Sequence, residues 1–252
     1  MPANLDGLVW VILLLGPLLI LQRSLHREIQ AVFLLLTRRL EIALTLFSLL
    51  FLPGVFLHEG SHYLMARLLG VRTGRLSLIP RPMKSGKLQL GFVETEATDI
   101  IRDALIGAAP LLVGGVVVAY TGLSRLGLSA LWERWLEGGL VTFSSAIQEV
   151  TGQPDFWLWF YIAIAVSSTM LPSASDRRAW LPVAAVLILL LCLSLLGGAG
   201  PWLASHLAAP FNQVLRSIAL VFGISLLVHL VLWLPVWGVR RLLSAFLRME
   251  VA

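Results

Sequence analysis

The sequence predicts an all-α polytopic membrane protein with about six transmembrane helices and a small β-hairpin. Its 252 residues are 58% hydrophobic and only 13% charged, a balance outside the usual range of soluble domains. Several apolar runs approach or reach the roughly 20 residues that a helix needs to cross a bilayer core of about 30 Å. Residues 71–98 instead alternate polar and apolar side chains around a turn-rich PRPMKSG segment, which is the pattern of a hairpin.

The apolar runs place the helices in chain order. We expect a retained first span over residues 5–21, because the segment lacks the basic leader and the cleavage site of a signal peptide. The next apolar stretch, residues 31–36, is too short to cross and should lie at the interface or extend the second helix. The other spans are expected at residues 41–70, 100–123, 155–171, 180–196 and 215–237. Residues 124–153 have an amphipathic pattern, typical of a helix on the membrane surface.

No repeat or linker marks a second domain. We divide the chain into residues 1–40 (first helix and interfacial segment), 41–178 (core) and 179–252 (two final helices and a basic tail). Within the core, Pro53 predicts a kink and Gly70 a helix C-cap. The single cysteine, Cys192, excludes an internal disulfide or a zinc knuckle. Any metal chemistry must therefore use histidines and carboxylates.

The basic residues give a first prediction of sidedness. In a six-span arrangement most of them fall on one side, which the positive-inside rule assigns to the cytoplasm. That set comprises Arg72, Arg75, Arg81, Lys84, Lys87, Arg177, Arg178 and the tail residues Arg240, Arg241 and Arg248. Four arginines fall on the opposite side, namely Arg23, Arg27, Arg38 and Arg39. The placement of residues 1–40 therefore conflicts with this scheme.

The second span contains an HEGSH motif at residues 58–62. His58 and His62 are four positions apart, so a helix places both imidazoles on one face at the spacing that a zinc ion requires. Glu59, beside them, can take a proton from a water that the metal acidifies. Ionisable residues inside a span are costly unless they are paired or bind metal. The motif predicts a hydrolytic zinc site, and a polar patch satisfied by neighbouring helices is the alternative.

Asp176 is the best candidate for a third ligand. HEGSH lies near the C-terminal end of the second span, and Asp176 lies at the C-terminal end of the fourth. Two membrane crossings separate them, so the motif and Asp176 should lie on the same side of the membrane. Pro172 can end the helix and turn the aspartate inwards. Pairing of Asp176 with Arg177 or Arg178 at the headgroups is the alternative. His229, in the sixth span, is a weaker candidate because nothing at helical spacing completes a site around it, and His26 and His206 are expected in connections.

These residues resemble the site-2 protease family of intramembrane zinc metalloproteases. HEGSH within a span is similar to the zinc-binding helix of that family, and GAAP at residues 107–110 resembles its motif in the following span. Residues 169–176 resemble the later motif that ends in a metal-binding aspartate. The resemblance covers roughly residues 42–178. It implies His58, His62 and Asp176 as ligands of one zinc ion per chain and Glu59 as the general base.

The chain departs from the family pattern in two respects. Thr169 and Arg177 stand where the family usually has an asparagine and a glycine, although Pro172 is retained. No extramembrane stretch is long enough for a PDZ domain, so substrate selection should rest with the membrane parts. The resemblance implies that a strand after the zinc helix holds the substrate by β-addition, and a hairpin packed on its own core is the alternative. The substrate-binding set is then Lys87, Leu88, Gln89, Leu90, Gly91, Phe92, Val93 and Thr169.

Three functions are compatible with this pattern. The first is a zinc endopeptidase that cuts membrane-spanning or membrane-associated proteins near the cytoplasmic side, in the plasma membrane of a prokaryote. The second is a non-catalytic, metal-binding scaffold of the same fold. The third is an ion transporter, which is disfavoured because the polar groups gather near one face. The expected partners are a membrane-protein substrate and the lipid bilayer. Nucleic acid is not expected, because the basic residues cluster at the ends of apolar runs.

Overall fold

The computed structural model describes residues 6–78, 81–82 and 88–248. The elements, in chain order, are α1 (Asp6–Thr37), α2 (Leu40–Leu50), α3 (Leu52–Leu68), β1 (Thr73–Ser77), β2 (Arg81–Pro82), β3 (Leu88–Gln89), β4 (Phe92–Thr95), α4 (Ile100–Tyr120), a π-helical turn (Thr121–Arg125), α5 (Leu128–Thr151), α6 (Phe156–Ser167), α7 (Trp180–Leu196), α8 (Gly200–His206) and α9 (Ala208–Leu247). This is the expected all-α membrane protein with a small antiparallel sheet.

Among the described residues, three to five segments are long and apolar enough to cross a membrane. Three are single helices: α1, α4 with its π-helical extension, and α9. Two more are bent pairs, α2–α3 with a bend of 66° and α7–α8 with a bend of 119°. The expected fourth span is shorter than the sequence suggested, because α6 has only 12 residues, or about 18 Å of helix. It ends at Ser167, before Pro172.

The first helix is longer than predicted. It runs without interruption to Thr37, so residues 31–36 neither lie apart at the interface nor extend the second helix, and His26 lies inside a helix rather than in a connection. The reason is packing: Leu25, Ile29 and Leu35 are buried where α1 packs along α9 and α2. The charged residues that separate the two apolar stretches of this segment therefore lie on one continuous helix, α1.

Helices α1 and α9 run parallel to each other. Three side-chain pairs join them in the same order along both helices: Asp6 with Arg216, Ser24 with Trp233, and Glu28 with Arg240. Six alternating crossings would have made the first and last helices antiparallel. The 119° bend between α7 and α8, which is either a broken span or a re-entrant loop, lies where the chain must depart from alternation before α9 begins.

The basic tail consequently lies elsewhere than predicted. The α1–α2 turn brings α2 back antiparallel to α1, as shown by the ring of His26 against Phe47 and Phe51. The hairpin follows α3, at the end of the bundle away from this turn. Since α9 is parallel to α1, Arg240 and Arg241 lie towards the end of the bundle that holds the turn. They do not accompany the hairpin.

The helix that carries the HEGSH motif has well-defined ends. The helical hydrogen bonding is interrupted at Phe51. Pro53, which has no backbone N–H to continue α2, lies in the first turn of α3. At the other end, Gly70 adopts φ 71° and the backbone N–H of Val71 donates to the carbonyl of Ala66 over 2.8 Å. This is a Schellman cap, so both predicted signals, the kink and the C-cap, are confirmed.

Helices α3, α4 and α6 pack closely within a core to which α1, α2 and α9 also contribute. Gly54 of α3 lies against the backbone of Ala165 in α6, and Gly114 of α4 lies against Met170. Small residues allow this approach of helix backbones in a membrane protein. The described side chains of the amphipathic helix α5 are mostly exposed and contribute little to the core, and its position on the membrane surface stays a prediction.

The segment after α3 forms the predicted hairpin. Strand β1 pairs antiparallel with β4, with Leu76 opposite Val93, and β2 pairs with β3 further out. The sheet packs beside α3. It therefore brings β4 next to the HEGSH motif.

Candidate metal centre

Three ligand atoms from two separate segments converge beside α3. The Nε2 atoms of His58 and His62 are 3.2 Å apart. Oxygens of Asp176 lie 3.7 Å from the His58 Nε2 atom and 3.4 Å from the His62 Nε2 atom. Ligands about 2.0–2.1 Å from a tetrahedral zinc ion are separated by roughly 3.3 Å. The three side chains could therefore hold a metal ion, with one position left open.

The orientation of His62 is fixed from the far side of its ring. Its Nδ1 atom lies 2.8 Å from the carbonyl oxygen of Ile106 in α4. A carbonyl can only accept, so Nδ1 carries the proton and Nε2 presents its lone pair to the centre. The Nδ1 atom of His58 is buried and has no hydrogen-bond partner among the described residues. Within the described part of the chain, the His62 ring is thus held by a hydrogen bond on the side away from the centre, and the His58 ring is not.

Asp176 is held by its own loop. The backbone N–H of Ser173 donates to its Oδ2 atom over 2.7 Å. Burial alone would raise the pKa of the Asp176 carboxyl, but the facing imidazoles of His58 and His62 and the hydrogen bond from the Ser173 N–H outweigh it and hold this pKa well below its usual range. The carboxylate is therefore charged, as a metal ligand must be.

The alternative partners of Asp176 are engaged elsewhere. Arg178 donates from Nε and Nη2 to the two carboxylate oxygens of Asp103 in α4, each over 2.9 Å. Arg177 donates to the carbonyl oxygen of Ser173. The headgroup-level pair that the sequence left open is thus formed with Asp103, and Asp176 faces the imidazoles.

Glu59 lies in the same cavity as the three candidate ligands. Its side chain is buried and packs against Gly91, where an added Cβ would lie 2.8 Å from the Glu59 Cγ atom. The cavity has a volume of about 770 Å³, which is in the range of ligand sites. A buried carboxylate in the same cavity as three candidate metal ligands is placed to exchange protons with a molecule in that cavity.

The predicted substrate-binding residues lie in different places relative to the cavity, and their role stays a prediction. Leu90, Gly91, Phe92 and Val93 line the cavity, as does Thr169. Thr169 donates its hydroxyl to the carbonyl oxygen of Ala165. Leu88 and Gln89 form β3 further along the hairpin, and Lys87 lies outside the described residues.

Sequence reasoning missed several polar groups in the long helices. The sequence predicted polar groups gathered near one face, yet Glu28 of α1 pairs with Arg240 of α9. His229 is buried, and the His26 ring packs against Phe47 and Phe51. The signal was present as charged residues that interrupt two apolar runs. His229 is not near the metal ligands, because its ring nitrogens contact Ser168 and Ser225.

Comparisons with known proteins identify no relative of this chain. No family model, curated protein or solved structure matches the chain.

Proposed function

We propose that the protein is an intramembrane zinc-dependent endopeptidase. The observation that supports this most directly is the convergence of His58, His62 and Asp176, with Glu59 in the same cavity. Two histidines and one carboxylate with an open position are the ligand set of many hydrolytic zinc sites. Calcium and magnesium prefer more oxygen ligands, so zinc suits these donors better.

The residues around the cavity fit the demands of peptide hydrolysis. Zinc bound at this site would acidify a water and polarise the scissile carbonyl. The Glu59 carboxylate accepts a proton from the attacking water and passes it to the leaving nitrogen. The Ile106 carbonyl keeps the His62 ring in the tautomer that binds metal.

Strand β4 offers a means of holding an extended substrate. It pairs with β1 along one edge, and its residues Phe92, Val93 and Thr95 line the cavity. A peptide added as a further strand would lie across the candidate metal centre with its backbone extended. We propose that membrane-spanning or membrane-associated proteins are bound in this way after local unwinding.

We place the protein in the plasma membrane of a prokaryote, with the cavity towards the cytoplasm. The basic residues of the hairpin and of the Asp176 loop support this orientation, because such residues favour the cytoplasmic side. Arg240 and Arg241 lie towards the other end of the bundle and count against it.

An ion path through the bundle has weaker support. Glu28 and Arg240 neutralise each other as a pair. Neither they nor His229 line the cavity beside HEGSH or the apolar groove between α1, α6 and α9. We therefore favour hydrolysis at the cavity over an ion path.

The experiment that tests the function compares wild type with Glu59→Gln, both purified in detergent and loaded with zinc. The probe is fluorescently labelled casein, an unfolded protein that presents extended backbone. We expect wild type to cleave it, and the variant to keep its zinc while losing about 100-fold or more of the rate. Equal cleavage by both proteins would contradict the proposal, as would failure of zinc-loaded wild type to cleave.

A further inference from the structure

A buried polar cluster joins α1 and α9 to the end of α6. The side-chain N–H of Gln22 donates to the carbonyl oxygen of Ser168 over 2.6 Å. The Ser168 hydroxyl lies 3.0 Å from the Nε2 atom of His229. His229 is 0% exposed and Ser168 is 5% exposed. Ser168 is therefore held twice, once through its backbone and once through its side chain.

The hydrogen-bond roles at His229 follow from its second contact. Its Nδ1 atom lies 2.7 Å from the carbonyl oxygen of Ser225, one turn earlier in α9. Because a carbonyl only accepts, Nδ1 carries the proton, and the neutral ring accepts the Ser168 hydroxyl proton at Nε2. Both nitrogens are thus used, which leaves no lone pair for a metal.

Ser168 occupies the point where the ligand-bearing segment begins. It is the C-cap of α6, and no regular helix or strand follows until α7 begins at Trp180. Asp176 lies within this irregular stretch, and Thr169 and Leu171 of the same stretch line the cavity. A segment without its own hydrogen-bond ladder takes its position from the points at which it is attached.

The carbonyl of Ser168 also needs a partner for a local reason. The last carbonyls of a helix have no intrahelical donor, and in a membrane an unsatisfied one is costly. Gln22 supplies the donor from α1. The two long helices outside the HEGSH core thereby set where α6 ends.

We propose that His229, together with Gln22, is a positioning residue for the metal centre. It fixes Ser168 and so fixes the segment that presents Asp176 to His58 and His62. The inference rests on the metal site of the proposed function, although not on peptide cleavage. It gives α1 and α9, which lie outside the motif-bearing helices, a part in building the site.

The test measures Co²⁺ binding to the purified, metal-free protein, since Co²⁺ absorption bands report both occupancy and ligand geometry. Ser168→Ala and His229→Leu should each weaken Co²⁺ affinity by about tenfold, as loss of an outer hydrogen bond does at other metal sites, and should alter the spectrum. His229→Gln, which keeps an acceptor near the Nε2 position, should recover most of the affinity.

Two matched controls separate positioning from general damage. Ser225→Ala removes an equally buried hydroxyl from α9 that donates only within its own helix. Ser24→Ala removes the hydrogen bond between α1 and Trp233. Both should retain wild-type Co²⁺ affinity. Equal weakening by the controls and by Ser168→Ala would overturn the proposal.

A double-mutant cycle tests the route through Asp176. In an Asp176→Asn background, His229→Leu should cause no further loss of Co²⁺ affinity, because the ligand that it positions is already gone. Additive losses would overturn the proposal, as would a wild type that binds no Co²⁺. A protein that binds Co²⁺ and obeys the cycle but does not cleave casein would contradict the proposed function alone.

Discussion

Gly107 of α4 lies directly against the backbone carbonyl of Asp176, and a Cβ atom at position 107 would overlap that carbonyl oxygen. The contact explains why a small residue stands at this point of the GAAP segment. Helix α4 thus supports the metal centre twice, since the neighbouring Ile106 carbonyl orients His62. The same turn of α4 therefore contacts His62 from α3 and Asp176 from the segment after α6.

Gly107→Ala should displace the Asp176 segment. We expect zinc affinity to fall by about tenfold or more, and overpacking to destabilise the fold by about 1–3 kcal/mol. Zinc titration and thermal unfolding measure the two effects. Gly115→Ala is the matched control, because its Cβ would meet only Val221 at 3.8 Å. Wild-type affinity in Gly107→Ala would show that the contact does not position Asp176.

Gly91→Ala should separate catalysis from metal binding. A Cβ at position 91 would lie 2.8 Å from the Glu59 Cγ atom and 3.0 Å from the Ser77 carbonyl oxygen, so the Glu59 side chain must move. We expect zinc content to stay at the wild-type level while casein cleavage falls by about tenfold. Gly60→Ala, inside the motif but with no neighbour within 4 Å, should cleave normally. Unchanged cleavage in Gly91→Ala would argue against Glu59 as the base.

Proline substitutions in β4 test binding by strand addition. Successive backbone N–H groups of a strand point to opposite edges, so Phe92→Pro and Val93→Pro remove donors from different edges. The substitution that breaks the β1 ladder should lower thermal stability. The other should leave stability close to wild type and reduce cleavage by about tenfold. Full cleavage by both variants would favour a hairpin that packs only on its own core.

The parallel arrangement of α1 and α9 predicts the sidedness of the chain. The amino terminus and the hairpin should lie on one side of the membrane and the carboxyl terminus on the other. Reporter proteins that are active in only one compartment, fused at each terminus and inserted into the hairpin, measure this directly. A hairpin and a carboxyl terminus on the same side would restore six alternating crossings and contradict the α1–α9 pairing.

The sequence predicted those parts of the site that depend on local geometry. His58 and His62 face one way because a helix brings residues four apart together, and Asp176 followed from counting membrane crossings. The count to Asp176 uses only α3, α4 and α6, which alternate as expected. Local periodicity and short-range connectivity were enough for the candidate ligands.

The remaining features depend on contacts between distant parts of the chain. Residues 180–196 are as apolar as a crossing helix, and only the packing of α9 on α1 shows that the chain turns back. Glu28 interrupts the hydropathy of α1, and its partner Arg240 is more than 200 positions away. The support of Asp176 by Gly107 is a backbone contact that no residue pattern records.

Zinc content is the most direct test of the convergence of His58, His62 and Asp176 on one ion. Atomic emission on protein purified without chelators should give about one zinc per chain for wild type and Glu59→Gln. It should give little or none for His58→Ala and His62→Ala. Folded wild type that contains no more zinc than His58→Ala, even after incubation with zinc, would contradict the metal centre.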